Sequence, residues 1–173
     1  MDSRSNTIAN HFDKICLVLE SLGYLAGDGG GEVTEHGRML ARIYAELDLV
    51  TAECIRAGVF EDLTHPQLAA VLSSLVFEAR RSDEVGHRPR MPDAKTNAAM
   101  IEVRRIWHDV SLVERDSRLN RGPEPDIGFS EVAYGWAAGR TLSAVLHGSD
   151  FTAGDFVRWI RQVADFAGQI ADA

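Results

Sequence analysis

At 173 residues, 45% hydrophobic and 25% charged, the chain has an ordinary globular composition and enough length for a sizeable core. Its formal net charge of −8 argues against a free-standing nucleic-acid-binding domain, since phosphates are held by positive charge. No apolar run approaches the roughly 20 residues of a membrane span, and the opening MDSRSNTIANHF lacks the basic and apolar regions of a secretory leader; cytoplasmic residence without membrane contact is the expectation.

The pattern is helical nearly throughout. NTIANHFDKICLVLESLGYL carries apolar residues at Ile8, Phe12, Ile15, Leu19 and Leu22, an amphipathic repeat with Gly23 as its stop. AGDGGGE follows as a loop; without a preceding strand or a closing Lys-Ser/Thr it is no phosphate cradle. Thr34 caps a helix predicted to run to about Ala45, and a second runs from Asp48 to Gly58. Thr64 and Pro66 open a helix that continues apolar to Phe77. SDEVGHRPRMPD breaks the pattern and reads as a flexible, protease-sensitive loop. A long helix spans 94–119, with Met100, Val103, Ile106, Trp107, Val110 and Val113 on one side. After NRGPEPD come a short helix ending at Gly139, another capped by Thr141, and a closing helix over 154–173. No strand and no internal repeat is predicted. The expected architecture is all-α, a bundle of about eight helices in a single domain spanning 1–173.

Catalytic chemistry is hard to place on this pattern. His11, His36, His65, His87, His108 and His147 are scattered, with no partner at zinc-site spacing. Ser73 and Ser74 lie inside an apolar helix and read as packing residues, and Cys16 and Cys54 as small buried ones. There is no P-loop sequence and no nucleophile–base arrangement. Neither catalysis nor a cofactor is expected of this chain.

The closing stretch GDFVRWIRQVADFAGQIADA is different. It is apolar at Phe156, Val157, Trp159, Ile160, Val163, Ala164, Phe166, Ala167, Ile170 and Ala171, which leaves one narrow polar stripe: Arg158, Gln162, Asp165 and Gln169, with Arg161 beside it. A surface helix buries one face and gives the rest to water, so a helix this apolar is expected to bury nearly everything but the stripe. Periodicity leaves two readings open. The stripe is the solvent edge of a bundle helix, or it lines a groove and faces a polymer.

A resemblance adds to this. The stretch VTEHGRMLARIYAELDLVTAECIRAGVFEDLTHPQLAAVLSSLVFEARR resembles the opening of the DSHCT domain, the C-terminal helical domain of Ski-like DExH-box RNA helicases. YGWAAGRTLSAVL and AGDFVRWIRQVADFAGQI resemble its later part. The motifs lie in order from about Asn6 to the end, in a style nearest the actinobacterial members. The resemblance implies an ATP-driven motor moving 3′ to 5′ along single-stranded RNA, in which two RecA-like domains, a winged helix and this domain encircle the strand. ATP and Mg²⁺ would belong to that motor, and the chain would be a fragment of the larger protein. The helix 154–173 would be the ratchet helix, placing Arg158, Arg161, Gln162 and Asp165 toward the RNA. Glu78 is a further candidate, with two departures from the family pattern to note. The acid sits one residue earlier than in exosome-associated relatives, about 100° round a continued helix, and those relatives mostly carry a basic residue where this chain has Gln162. Separated from the motor, the domain is expected to expose apolar faces, with Trp159 and Phe166 as candidates, and to bind RNA only weakly. The alternative is a helical protein–protein interaction or brace domain.

Overall fold

The computed structural model describes residues 2–27, 31–79 and 89–173, with side chains from residue 7 onward. The expected loop at 82–93 therefore lies outside the described residues over 82–88, as do His87 and the glycine loop at 28–30. Eight α-helices form the described structure: α1 (Asp2–Ser21), α2 (Glu35–Leu40), α3 (Asp48–Arg56), α4 (His65–Val76), α5 (Ala94–Asp116), α6 (Ser130–Ala137), α7 (Leu142–Leu146) and α8 (Ala153–Asp172), with a 3₁₀ turn at Ile127–Phe129 before α6. Two short strands were not predicted: β1 (Leu25–Ala26) pairs antiparallel with β2 (Glu32–Val33). The all-α bundle stands, with this small ladder pinning the ends of the glycine loop.

Helix ends follow local chemistry where the chain supplies it. Gly23 takes a φ of +79° after α1, and the Tyr24 amide reaches back to the Leu19 carbonyl at 2.8 Å, an arrangement that glycine allows without a Cβ penalty. Thr64 and Gln67 form a reciprocal capping box on α4, and Thr152 and Asp155 another on α8. The long helix ends three residues before the predicted Leu119, because Arg118 turns left-handed and the Leu119 amide closes onto Glu114.

Helix α4 is the centre of the bundle. Ala70, Val71, Leu72, Ser73, Ser74 and Leu75 are buried in succession, so the helix is covered on all sides. Ser73 and Ser74 donate to the carbonyls of Ala70 and Val71, three residues back, which leaves small surfaces for α6 and α8 to approach. Tyr24 is fully buried, and its hydroxyl donates to Glu53 at 2.6 Å; Glu53 also pairs with Arg56. The acid of the LVTAEC stretch thus holds the α1–β1 turn against α3. Burial and the Glu53 bond push Tyr24 ionisation above its ordinary range. Cys54 is buried as expected, whereas Cys16 is half-buried.

Two hydrophobic clusters flank α4. One is largely aliphatic and joins α3, α4, α5 and the second half of α8 through Leu47, Leu72, Met100, Val103, Val163 and Phe166, among others. The other is mainly aromatic and gathers Phe77, Phe129 and Phe156, with Phe151 and Trp159 against them. In α1 only the lower half of the apolar repeat is used. Leu19 and Leu22 pack on the aliphatic cluster, while Ile8 and Phe12 are 72% and 63% exposed.

Candidate functional site

The closing helix buries less than its composition suggests. Phe156, Val163 and Phe166 are buried, and Trp159, Ile160, Ala167 and Ile170 half-buried, but Val157, Ala164 and Ala171 face solvent. One face is packed, as on an ordinary amphipathic helix. Phe166 is 2% exposed and Trp159 packs edge-on against Phe77 at 4.9 Å. The expectation that these two form an exposed apolar face is corrected: packing within the chain buries Phe166 and half-buries Trp159, and an exposed apolar stripe lies instead on α1.

One flank of α8 opens onto a groove of ≈ 480 Å³, within the range of pockets that take small ligands. From α8 come Trp159, Gln162, Asp165, Phe166 and Gln169; the other walls are residues 44–47, residues 74–79 and the segment around Pro123, Glu124 and Asp126. Four stretches distant in sequence thus meet here. The structure brings Gln162, Asp165 and Glu78 to this groove and leaves Arg158 and Arg161 outside it. Both arginines are exposed, and the Arg158 guanidinium lies 4.4 Å from the centre of the Trp159 ring.

Glu78 reaches the groove for a reason the helical pattern hides. Helix α4 stops at Val76, and Phe77 is extended, with ψ at 139°. The predicted rotation of 100° for the displaced acid therefore does not apply, since no helix continues there. The stop comes from tertiary contacts. The Phe77 ring enters the aromatic cluster, stacked on Phe129 at 5.8 Å. A Cβ on Gly128 would sit 2.6 Å from the Phe77 ring, so only glycine leaves that space. Asp126 then fixes the segment beyond, accepting from the Ala79 amide at 3.1 Å and from the Gly128 amide at 2.8 Å.

The opposite wall is also built by tertiary bonding. The helix predicted to run to Ala45 ends at Leu40. The Tyr44 amide donates to Gln169 of α8 at 2.7 Å, and Arg42 donates to the Asp172 carbonyl at 2.6 Å. A side chain 125 residues away has replaced the intrahelical carbonyl. Gln169 also donates to Asp165 at 2.9 Å, so Gln169 is committed to structure, while Asp165 keeps one carboxylate oxygen clear of that bond. Sequence reasoning missed Tyr44, Glu46 and Glu124 as lining residues. For Tyr44 a signal existed: it is an aromatic residue out of step with the apolar series Leu40, Ile43, Leu47.

The electrostatics of the groove are one-sided. Among the described residues Glu46, Glu78, Glu124, Asp126 and Asp165 line it, and no Lys, Arg or His does. A phosphate inside would be repelled, whereas groups rich in N–H donors would find acceptors. Among the described residues no three His, Cys, Asp or Glu side chains gather into a metal-holding group, and no helix is long and apolar enough to cross a membrane.

Residues 30–173 match the DSHCT (NUC185) domain family. The chain belongs to that family. It is 36% identical over 179 aligned residues to "Probable helicase HelY" of Mycobacterium tuberculosis (strain ATCC 25618 / H37Rv) and 37% identical to the protein of that name in Mycobacterium leprae, in each case over 98% of this chain and 20% of the relative. It is 29% identical to "ATP-dependent RNA helicase mtr4" of Schizosaccharomyces pombe, over 90% of this chain and 14% of that protein. The DSHCT chain thus spans about a fifth of the length of its HelY relatives. All of α1 lies outside the family match, whereas the HelY alignments cover 98% of this chain.

Proposed function

We propose that this DSHCT chain is the accessory domain of an ATP-dependent 3′–5′ RNA helicase, lining the RNA exit path and contacting single-stranded RNA through α8. It performs no catalysis itself; ATP and Mg²⁺ serve the RecA-like motor, and the parent protein works in the cytoplasm. The observation that carries the reading is that the predicted RNA-facing residues Gln162 and Asp165 converge with Glu78 on one open groove instead of lying under another helix. The division along α8 fits a nucleic acid. Arg158 and Arg161, outside the carboxylate-lined groove, suit phosphates, while Gln162, Asp165 and Glu78 suit base edges, where carboxylates accept from amino groups. The exposed Ile8–Phe12 stripe of α1 supplies an apolar surface for the motor or winged-helix domains of the parent chain.

The brace alternative is favoured by that same apolar stripe and by the net charge of −8. Replacing Arg158, Gln162 and Asp165 together by Ala in the intact helicase separates the two readings. Each lost hydrogen-bonding group is worth about 0.5–1.5 kcal/mol, so unwinding and RNA-stimulated ATP hydrolysis are expected to fall by about tenfold or more. Unchanged unwinding and unchanged stimulation would leave the brace.

A further inference from the structure

We infer that Tyr44 is a stacking platform for one nucleobase of the bound strand, held at the groove by α8 itself. The inference deepens the proposed RNA contact and rests on it. Tyr44 is 79% exposed, the most exposed large apolar side chain among the described residues. An exposed aromatic on a loose loop would mean little, but the backbone here is fixed. Its amide is bonded to Gln169, the preceding Ile43 and the nearby Leu47 are buried, and Arg42 is tied to the end of α8. The backbone that carries the ring is therefore fixed, and only the side chain's own torsions remain to be ordered on binding.

Its surroundings select the part of a nucleotide that enters. Tyr44 lines the same groove as Gln162 and Asp165. The five carboxylates among the described residues of that groove disfavour phosphate and favour the base, whose flat face stacks on an aromatic ring and whose edge donates to acceptors. The hydrogen bonds from Gln169 to Asp165 and from the Tyr44 amide to Gln169 join platform and edge reader into one unit. Stacking tolerates every base, so Tyr44 grips the strand without adding sequence preference of its own.

The test uses the intact helicase and a single-stranded oligoribonucleotide carrying one 2-aminopurine, whose fluorescence is quenched on stacking. Quenching is expected with the unaltered protein, to persist in Tyr44→Phe and Tyr44→Trp, and to be lost in Tyr44→Ala with about tenfold weaker RNA binding. A circular dichroism melt checks that Tyr44→Ala stays folded, as an exposed position should. Should Tyr44→Ala keep both quenching and affinity while Gln162→Ala and Asp165→Ala weaken binding, the platform is wrong and the groove contact survives. Should all three leave binding unchanged, the groove contact itself fails, and the platform with it. A Tyr44→Ala protein that binds RNA and quenches normally but loses RNA-stimulated ATP hydrolysis assigns the ring to a contact with the motor domains and overturns the proposal.

Discussion

The two hydrophobic clusters divide the molecule by chemistry as well as by place. The aliphatic cluster is built from long helices with regular periods, α3, α4 and α5, and its members recur at helical spacing. The aromatic cluster is built from helix ends and connections, with Phe77 just past α4, Phe129 in the 3₁₀ turn, and Phe151 and Phe156 around the start of α8. Helix α8 spans both, its first half on the aromatic rings and its second half on the aliphatic side. The groove opens at their seam, lined by Phe77 and Trp159 from one cluster and Phe166 from the other. Helix periodicity builds the scaffold, and irregular backbone packed by large rings shapes the site.

The largest way to break that division is to remove its aromatic centre. Phe129 is fully buried, with ring centres of Phe77 and Phe151 at 5.8 and 5.3 Å. Phe129→Ala is expected to cost about 3–5 kcal/mol by denaturant unfolding. It should also loosen Trp159, giving a red-shifted Trp emission before the global transition. A cost with no local loosening would mean that the clusters unfold as one body with no seam between them.

A smaller change sharpens the comparison by acting on shape alone. Gly128→Ala adds one methyl that meets the Phe77 ring at 2.6 Å. Overpacking of this kind costs about 1–3 kcal/mol, measurable as a lower denaturation midpoint. Because Phe77 sets the course of the backbone to Glu78 and Ala79, the variant should also reduce RNA binding in the intact helicase more than its stability loss explains. An unaltered midpoint would show that the Phe77 wall yields freely.

The same division explains what was legible in the sequence. The helices and many of their ends could be read because Thr34, Thr64, Thr141, Gly23, Gly58 and Gly139 act within a few residues of themselves. The polar stripe of α8 could be read from its period, and Gln162 and Asp165 do reach the groove. Contacts across long sequence distances left no local mark. The break after Leu40 involves Gln169 and the stop at Val76 involves Gly128 and Asp126, so the place of Glu78 was not foreseeable from its own segment, and Tyr44 showed there only as an aromatic out of step with its apolar neighbours. The burial of Phe166 was misjudged for the same reason, since a period gives a face but not its partner.

The smallest effect lies on the aliphatic side and is set by pH. Asp93 caps α5, accepting from the Thr96 amide and hydroxyl, both at 2.8 Å, and from Gln67 at 3.1 Å. Gln67 is also the reciprocal member of the α4 capping box, so one carboxylate ties together the starts of the two helices that frame the aliphatic cluster. The Thr96 amide above all, with the Gln67 and Thr96 side chains, lowers the Asp93 pKa from 3.8 to about 2. A carboxylate held below its unfolded value adds stability that is whole above pH 3.8 and drains away as the pH falls toward 2. Replacing Asp93 by Ala should cost about 1 kcal/mol near neutral pH, the usual worth of a cap. The gap between the two proteins should then close as the pH is lowered through that window, because the protonated carboxyl has lost its advantage. If the gap stays constant down to pH 2, the cap works through shape and not charge. If the aromatic cluster responds first, seen as an early change in Trp159 emission, then the two regions are coupled through α4 more tightly than their separate packing implies.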